Sequence, residues 1–292
     1  MKGRSDLQLA ARGDAPSPSP SDNDSFVFRQ LGSDKDEKQS VAEWVCLHVP
    51  LKDNGGAVVD AGSSCLALFD LHMQQMLRGD LRFPAFVTNN FLVPQRWWEY
   101  RKENPAVSTA MINLYGKRLD PEHMALFEGD VATALMDSSF RPTNVYIGLS
   151  GIDFEPQGIV RCGYHGGKDE REIKELLFCK PCKQRIILLT PRKIGEAGGF
   201  VFDLRGIENL DKSAPIYLVT ARPERGSSTE NQFRETFERF REARGRLLEE
   251  GLRFHWVTIE RNGANVVTAV NDLSVYDSEP DYLPATSDAR SS

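Results

Sequence analysis

The sequence predicts an α/β fold: an open, mostly parallel sheet with helices on both faces. Three observations carry this. Short runs rich in Val, Ile, Leu and Phe recur along the chain, at Val58-Val59, Phe86-Val87, Val145-Tyr146-Ile147, Ile186-Ile187-Leu188-Leu189, Ile216 to Val219 and Trp256 to Ile259. Stretches with helical apolar spacing lie between them, and strands alternating with helices build parallel sheets. Ile186 to Leu189 is continuously apolar, the pattern of a strand covered on both faces.

Bulk properties set the limits. The 292 residues are 40% hydrophobic and 27% charged, ordinary globular values. A net charge of −6 argues against a general DNA- or membrane-binding surface. No run approaches the ~20 apolar residues of a membrane span. No apolar segment follows Met1-Lys2-Gly3-Arg4, so no secretory signal is expected, and five cysteines fit a reducing cytoplasm. Ala15 to Asp24 is a Pro-Ser-Asp tract that can bury no face. The expected organisation is a disordered tail over 1–36, one α/β domain over 37–276 and a second polar tail over 277–292.

Taken in order, Glu37 to Leu47 has Val41, Trp44 and Val45 at helical spacing. Asp53-Asn54-Gly55-Gly56 is a turn into the first strand. Leu66 to Leu77 is a mostly buried helix. Phe83 to Val87 is a strand that runs into Thr88-Asn89-Asn90. Pro94 to Tyr100 is a helix covering the sheet, with Trp97 and Trp98 expected in the core. Met111 to Tyr115 and Asn144 to Leu149 are strands, with a helix from Asp130 to Asp137 between them. Ser150 to Asp153 and the glycines 158, 163, 166 and 167 read as a loop. Asp169 to Leu177 is a helix with Glu170 and Lys174 one turn apart on one face. Arg185 to Leu189, Pro215 to Thr220 and Phe254 to Ile259 are strands. Between the last two, residues 227–250 form a helix capped by Ser227 or Ser228. Phe233, Phe237, Phe240, Leu247 and Leu248 line one of its faces, and Gly251 closes it.

The candidate site begins at Val59-Asp60-Ala61-Gly62-Ser63-Ser64-Cys65, a strand, a tight turn and the first turn of a helix. Gly62 lets the backbone turn and approach a ligand. Ser63 or Ser64 is placed to cap the helix. N–H groups and the positive end of the helix dipole then face an anion, for which phosphate is the natural guest. Polar clusters at the ends of later strands, Thr88-Asn89 and Asp153, sit where open α/β sheets bind ligands.

These pieces, in order, resemble the C-terminal effector-sensing domain of DeoR-type transcriptional regulators. Val59 to Ser64 matches the family's D-x-G-T/S-T/S turn, and Val87-Thr88-Asn89 its V-T-N element. Leu114 to Leu119 matches its G-G-x-L segment, followed by Glu128-Gly129. Ile147-Gly148-Leu149-Ser150-Gly151-Ile152-Asp153 matches its F-x-G-x-S-G-I-D, and Leu188 to Gly195 its L-x-D-x-S-K-x-G. That domain is similar in fold to ribose-5-phosphate isomerase, glucosamine-6-phosphate deaminase and the CoA-transferases, and the resemblance implies a pocket for a phosphorylated sugar or related metabolite. There the Gly62–Cys65 turn would hold phosphate, Asp153 would accept from sugar hydroxyls and Lys193 would add positive charge. Thr88 and Asn89 would line the floor, with Glu170 and Lys174 on the following helix. The family's N-terminal helix-turn-helix has no counterpart, so direct DNA binding is not expected. The chain then reads as a stand-alone sensor acting through a protein partner or a homo-oligomer, with no cofactor. Two departures matter. Thr190-Pro191-Arg192 replaces the family's residues before Lys193, and Ile173 stands where the related isomerases carry a glutamate base. Without a base in reach of a carbon acid, the alternative of an isomerase- or deaminase-like enzyme loses its proton acceptor.

Other motifs point less clearly to chemistry. Cys162 with His165, and Cys179 with Cys182, have zinc-like spacing, but the intervening helix separates the pairs by about 12 Å. Zinc ligands must all lie about 2.0–2.3 Å from one ion, so no metal is expected. Cys65 at a helix N-terminus would have a lowered pKa. His72, His123 and His255 are expected to be structural or surface residues. Arg234, Arg239, Arg241, Arg244 and Arg246 alternate with glutamates and read as a solvated helix face.

Overall fold

The computed structural model describes residue 32 and residues 34–128, 135, 137, 139–262 and 266–270. Most of the expected first tail, all of the expected second tail and most of the expected Asp130–Asp137 helix therefore lie outside the described residues; Lys35 and Asp36, expected in the first tail, instead open a helix. The helices are α1 (Lys35–His48), α2 (Ser63–Arg78), α3 (Leu92–Glu103), α4 (Gly167–Cys179) and α5 (Ser228–Glu249). The strands of the main sheet are β1 (Gly56–Val59), β2 (Ala85–Thr88), β3 (Met111–Leu114), β6 (Asn144–Gly148), β9 (Gln184–Leu189), β11 (Ile216–Ala221), β12 (Phe254–Asn262) and β13 (Val266–Val270). Their order is β13-β12-β11-β9-β6-β1-β2-β3. All neighbours pair in parallel except β12 with β13. No described helix is long and apolar enough to cross a membrane.

Side chains alternate between the faces of this sheet, and the two cores follow that period. Val58, Val145, Ile147, Ile187 and Leu189 belong to one core, which α4 and α5 cover with Ile173, Leu177, Phe240 and Leu247. Ala57, Val59, Tyr146, Ile186 and Leu188 belong to the other, with Trp44 and Val45 of α1 and Leu68 and Phe69 of α2. Each fully buried Leu, Ile or Phe side chain contributes about 1.5–3 kcal/mol.

Strand order reverses between β1 and β6. The chain steps from β1 outward to β2 and β3, then returns across β1 to β6 and continues to β9, β11 and β12. The carboxyl ends of strands at such a switch point diverge and leave a crevice.

Several expectations are corrected here. The glycine-containing stretch after β6 is not a loop. It forms β7 (Gly151–Phe154) and β8 (Val160–Tyr164), which pair antiparallel and continue to β10 (Phe200–Asp203). The glycines masked the alternation of Ile152 with Phe154 and of Val160 with Cys162 and Tyr164, all buried. A short hairpin, β4 (Arg118–Asp120) with β5 (Ala125–Phe127), follows β3. Trp98 is 50% exposed rather than in the core; Arg101 stacks on it and on Trp97 at 5.3 Å. Ser227 does cap α5, accepting from Glu230 N–H at 3.2 Å, but Leu248 is exposed. Arg239 is not merely solvated, since its guanidinium bonds Asp153 at 2.6 Å and the Phe154 carbonyl at 2.9 Å.

His72 of α2 is a structural residue, fully buried between the sheet and its own helix. Its Nε2 lies 3.0 Å from the Tyr146 hydroxyl and its Nδ1 3.0 Å from Gln75 Oε1. Burial pushes its pKa down from 6.5 to about 4, outweighing the Gln75 bond. Between those values the unfolded chain binds more protons than the folded one, so stability falls as pH drops through that window. Taking the pH from 7 to 5 should remove about 2 kcal/mol through this group, read as a lower urea midpoint. The variant His72→Gln should show a correspondingly shallower decline; an identical decline would place the pH dependence elsewhere.

Candidate ligand site

Asp60 directly follows β1 and is fully buried. Its Oδ1 accepts Ala61 N–H at 2.8 Å, and its Oδ2 accepts Gly148 N–H at 2.9 Å and Lys174 Nζ at 2.5 Å. Lys174, projecting from α4, also lies 3.4 Å from Glu170 Oε1. Burial alone would lower the lysine pKa, but the two carboxylates prevail and push it up to about 12. Glu170 Oε2 accepts the backbone N–H of His165 at 3.0 Å and that of Gly166. Burial pushes the Glu170 carboxyl up; Lys174 and those two N–H groups outweigh it and hold the pKa below the usual value.

The turn that follows Asp60 leaves a helix end open. Gly62 is the N-cap residue of α2, at φ 127° and ψ 152°, and no side chain caps the helix. The expected serine cap does not form, because Ser63 and Ser64 are already the first two helical residues. A φ of this sign favours glycine. The turn is braced from behind. Asn89 Oδ1 accepts Ala61 N–H at 2.8 Å and the Tyr115 hydroxyl at 3.2 Å. The Thr88 hydroxyl donates to the Val59 carbonyl at 2.6 Å, and Asn90 Nδ2 to the Gly62 carbonyl at 3.3 Å.

A cavity opens in front of the turn. Gly62, Ser63 and Ser64 form one side, Gly148, Leu149 and Ser150 the end of β6, and Glu170, Lys174 and Lys193 supply charge. His123, Ala125 and Phe127 of the β4–β5 hairpin, with His165, complete the lining. Lys193 ends the 3₁₀ turn Pro191–Lys193 and donates to the Leu149 carbonyl at 3.2 Å. Burial, reinforced by Lys38, Arg192 and Lys174, pushes its pKa down to about 8.

Of the residues named from sequence, Gly62, Ser63, Ser64, Glu170, Lys174 and Lys193 meet in this cavity. Asp60 lies beneath it, and Thr88 and Asn89 brace the turn rather than forming a floor. Cys65 is fully buried, and burial pushes its thiol up, opposite to the lowered pKa expected at a helix N-terminus. Asp153 is not brought to the cavity, because it faces α5 and is held by Arg239 at 2.6 Å. Cys162 is buried in β8, and among the described residues no group of three or more His, Cys, Asp or Glu side chains gathers where it could hold a metal. Sequence reasoning placed His165 with Cys162 in the loop beside the pocket but gave it no ligand role, and it missed His123, which the hairpin Asp120-Pro121-Glu122-His123, unrecognised in the sequence, carries in.

No protein-family model matches the chain, and no curated protein matches it in sequence. Among solved structures it is similar to ribose 5-phosphate isomerase A from Methanocaldococcus jannaschii, at 12% identity and a TM-score of 0.37, over 56% of this chain and 58% of that one. It is also similar to ribose 5-phosphate isomerase from Plasmodium falciparum, at 12% identity and a TM-score of 0.33, over 54% and 51%. eIF2B delta from Chaetomium thermophilum matches at 10% identity and a TM-score of 0.34, over 66% and 58%. The chain thus spans little more than half the length of each of these proteins.

Removing one member of a buried ion pair leaves an uncompensated charge. Lys174→Met should therefore lower unfolding free energy by about 3–5 kcal/mol in urea titrations. Adding Asp60→Asn to that variant should restore much of the loss. Additive losses would show that the two groups do not depend on each other.

Proposed function

We propose that this chain is a ligand-sensing domain of the DeoR-type kind. It binds a phosphorylated sugar or related metabolite and acts through a protein partner or through self-association. The observation that carries this reading is the uncapped N-terminus of α2, which opens into a cavity that also holds Lys193. Backbone N–H groups and the helix dipole favour an anion there. Lys174 adds little further attraction, because Asp60 and Glu170 already match it. Lys193 has no carboxylate within ion-pairing distance among the described residues and serves as the second cationic contact for the phosphate.

The isomerase- or deaminase-like alternative gains one observation, the presence of the Glu170 carboxylate in the cavity. Its oxygens are engaged by Lys174, His165 and Gly166, and its lowered pKa makes it a weak proton acceptor near neutral pH. Ile173, at the position of the related isomerases' base, is buried in the core. Binding without turnover is therefore the better-supported reading. Across a panel of sugar phosphates, a binder at about 100 times its Kd should raise unfolding free energy by about 2.7 kcal/mol with substrate recovered unchanged. Turnover abolished by Glu170→Gln would establish the enzyme instead.

The pH dependence follows from Lys193, which is charged below about pH 8 and neutral above it. Affinity for a sugar phosphate should fall about tenfold between pH 7 and pH 9, and Lys193→Met should bind weakly and show no such fall. Calorimetric titration at both pH values checks this; a flat profile in the unmodified chain would remove Lys193 from the site.

A further inference from the structure

Once a phosphate occupies the α2 end and Lys193, the cavity has little to offer a long polyhydroxylated chain. Lys174 is already matched by Asp60 and Glu170. Beyond the Gly62–Ser64 turn, the described side chains of the lining that carry oxygen atoms are Glu170 and Ser150, and the Ser150 hydroxyl donates to the Gly198 carbonyl at 2.5 Å. These two can accept from a pair of neighbouring hydroxyls. The rest of the wall is apolar or ring-shaped: Ala125, Phe127, Leu149 and Leu188, with His123 and His165. Hydroxyls pressed against it would lose water without gaining a partner, which weakens binding. A flat group that turns its face to this wall loses nothing of the kind.

The two imidazoles are prepared for such a group. Their planes lie within 17° of parallel, with ring centroids 6.4 Å apart. His123 is held at its edge, where Nδ1 lies 3.0 Å from Asp120 Oδ2. Asp120 is itself fixed, because its Oδ1 accepts the N–H groups of Glu122 at 2.8 Å and His123 at 3.2 Å. Glu170 holds the His165 backbone N–H at 3.0 Å. A Cβ at Gly199 would lie 2.9 Å from His165 Nδ1, so the Gly199 backbone packs directly against that ring. His165 is nevertheless exposed, which places its ring at the mouth of the cavity. Every nucleobase has a π-face that stacks on a ring of this kind, and the contact needs no proton on the imidazole. We infer that His123 and His165 form a base-stacking platform, so that the ligand class is a nucleoside 5′-phosphate. The phosphate meets the α2 end and Lys193, the ribose diol meets Glu170 and Ser150, and the base lies against the two rings. This rests on the phosphate reading of the α2 end and narrows the phosphorylated sugar to one that carries a base.

The test titrates the full chain by calorimetry with adenosine 5′-monophosphate, ribose 5-phosphate and inorganic phosphate. The first two share the phosphate and the ribose and differ by the base. The nucleotide should bind at least about tenfold more tightly than ribose 5-phosphate. His123→Ala and His165→Ala should each bring that ratio below about threefold, whereas His165→Phe should keep it, because the ring face makes the contact. A ratio lost as fully in His165→Phe as in His165→Ala would assign the effect to the imidazole nitrogens and overturn the stacking. Because the readout is a ratio within one protein, a folded variant is its own control, and the ratio of the unmodified chain stands if a variant fails to fold. Equal affinity for the nucleotide and ribose 5-phosphate, or a preference that both alanine variants leave intact, overturns the platform while the phosphate reading survives. No binding of any of the three overturns both.

Discussion

The buried pair of Asp60 and Lys174 is the interaction on which the rest of the site depends. A lone carboxylate at the end of a central strand would carry a desolvation cost of several kcal/mol. Lys174 at 2.5 Å and the N–H of Gly148 at 2.9 Å offset part of it, burial still holding the carboxyl's pKa above its usual value. In doing so they fix β1, β6 and α4 to one another at the point where strand order reverses. The fit is close: a Cβ at Gly148 would lie 2.7 Å from the Ala61 carbonyl oxygen, so no side chain fits there without moving the turn.

With that pair satisfied internally, the proposed binding of an anion falls to other groups. The α2 N-terminus is left without a side-chain cap, and Lys193 reaches the cavity from the turn after β9. Burial, and after it the crowding of Lys38, Arg192 and Lys174, disfavours the charged form of Lys193, and the proposed phosphate would relieve that repulsion. The cavity thus combines fixed backbone dipoles with a lysine whose pKa is pushed down to about 8. This is an arrangement suited to reversible binding of an anion more than to removal of a proton from carbon, since its carboxylate is already engaged.

Much of the main sheet was legible because its strands are continuous apolar runs and its helices have a clear period, signals carried within a few residues. The turn at Gly62 was legible for the same reason, and so was the one-turn relation of Glu170 to Lys174. The smaller sheet was not, because β7 and β8 contain glycines where backbones approach closely, and glycine reads as a loop signal. The hairpin β4–β5 was hidden for a related reason, its strands being only three residues long.

The sequence by itself determined the class of fold, the order of its parallel strands along the chain, and the glycine turn that leads into the helix after the first strand. Those follow from hydrophobic period and from glycine's backbone freedom, both local properties. Only the tertiary structure decided which charge meets which. Asp60 and Lys174 are 114 residues apart, Asp153 and Arg239 86 apart, and nothing in the local pattern of either residue names its partner. That assignment removed Asp153 from the cavity, put Thr88 and Asn89 behind it, and brought His123 and His165 into it, because Coulombic and hydrogen-bond partners are set by distance in space, whereas hydrophobic period is set by distance along the chain.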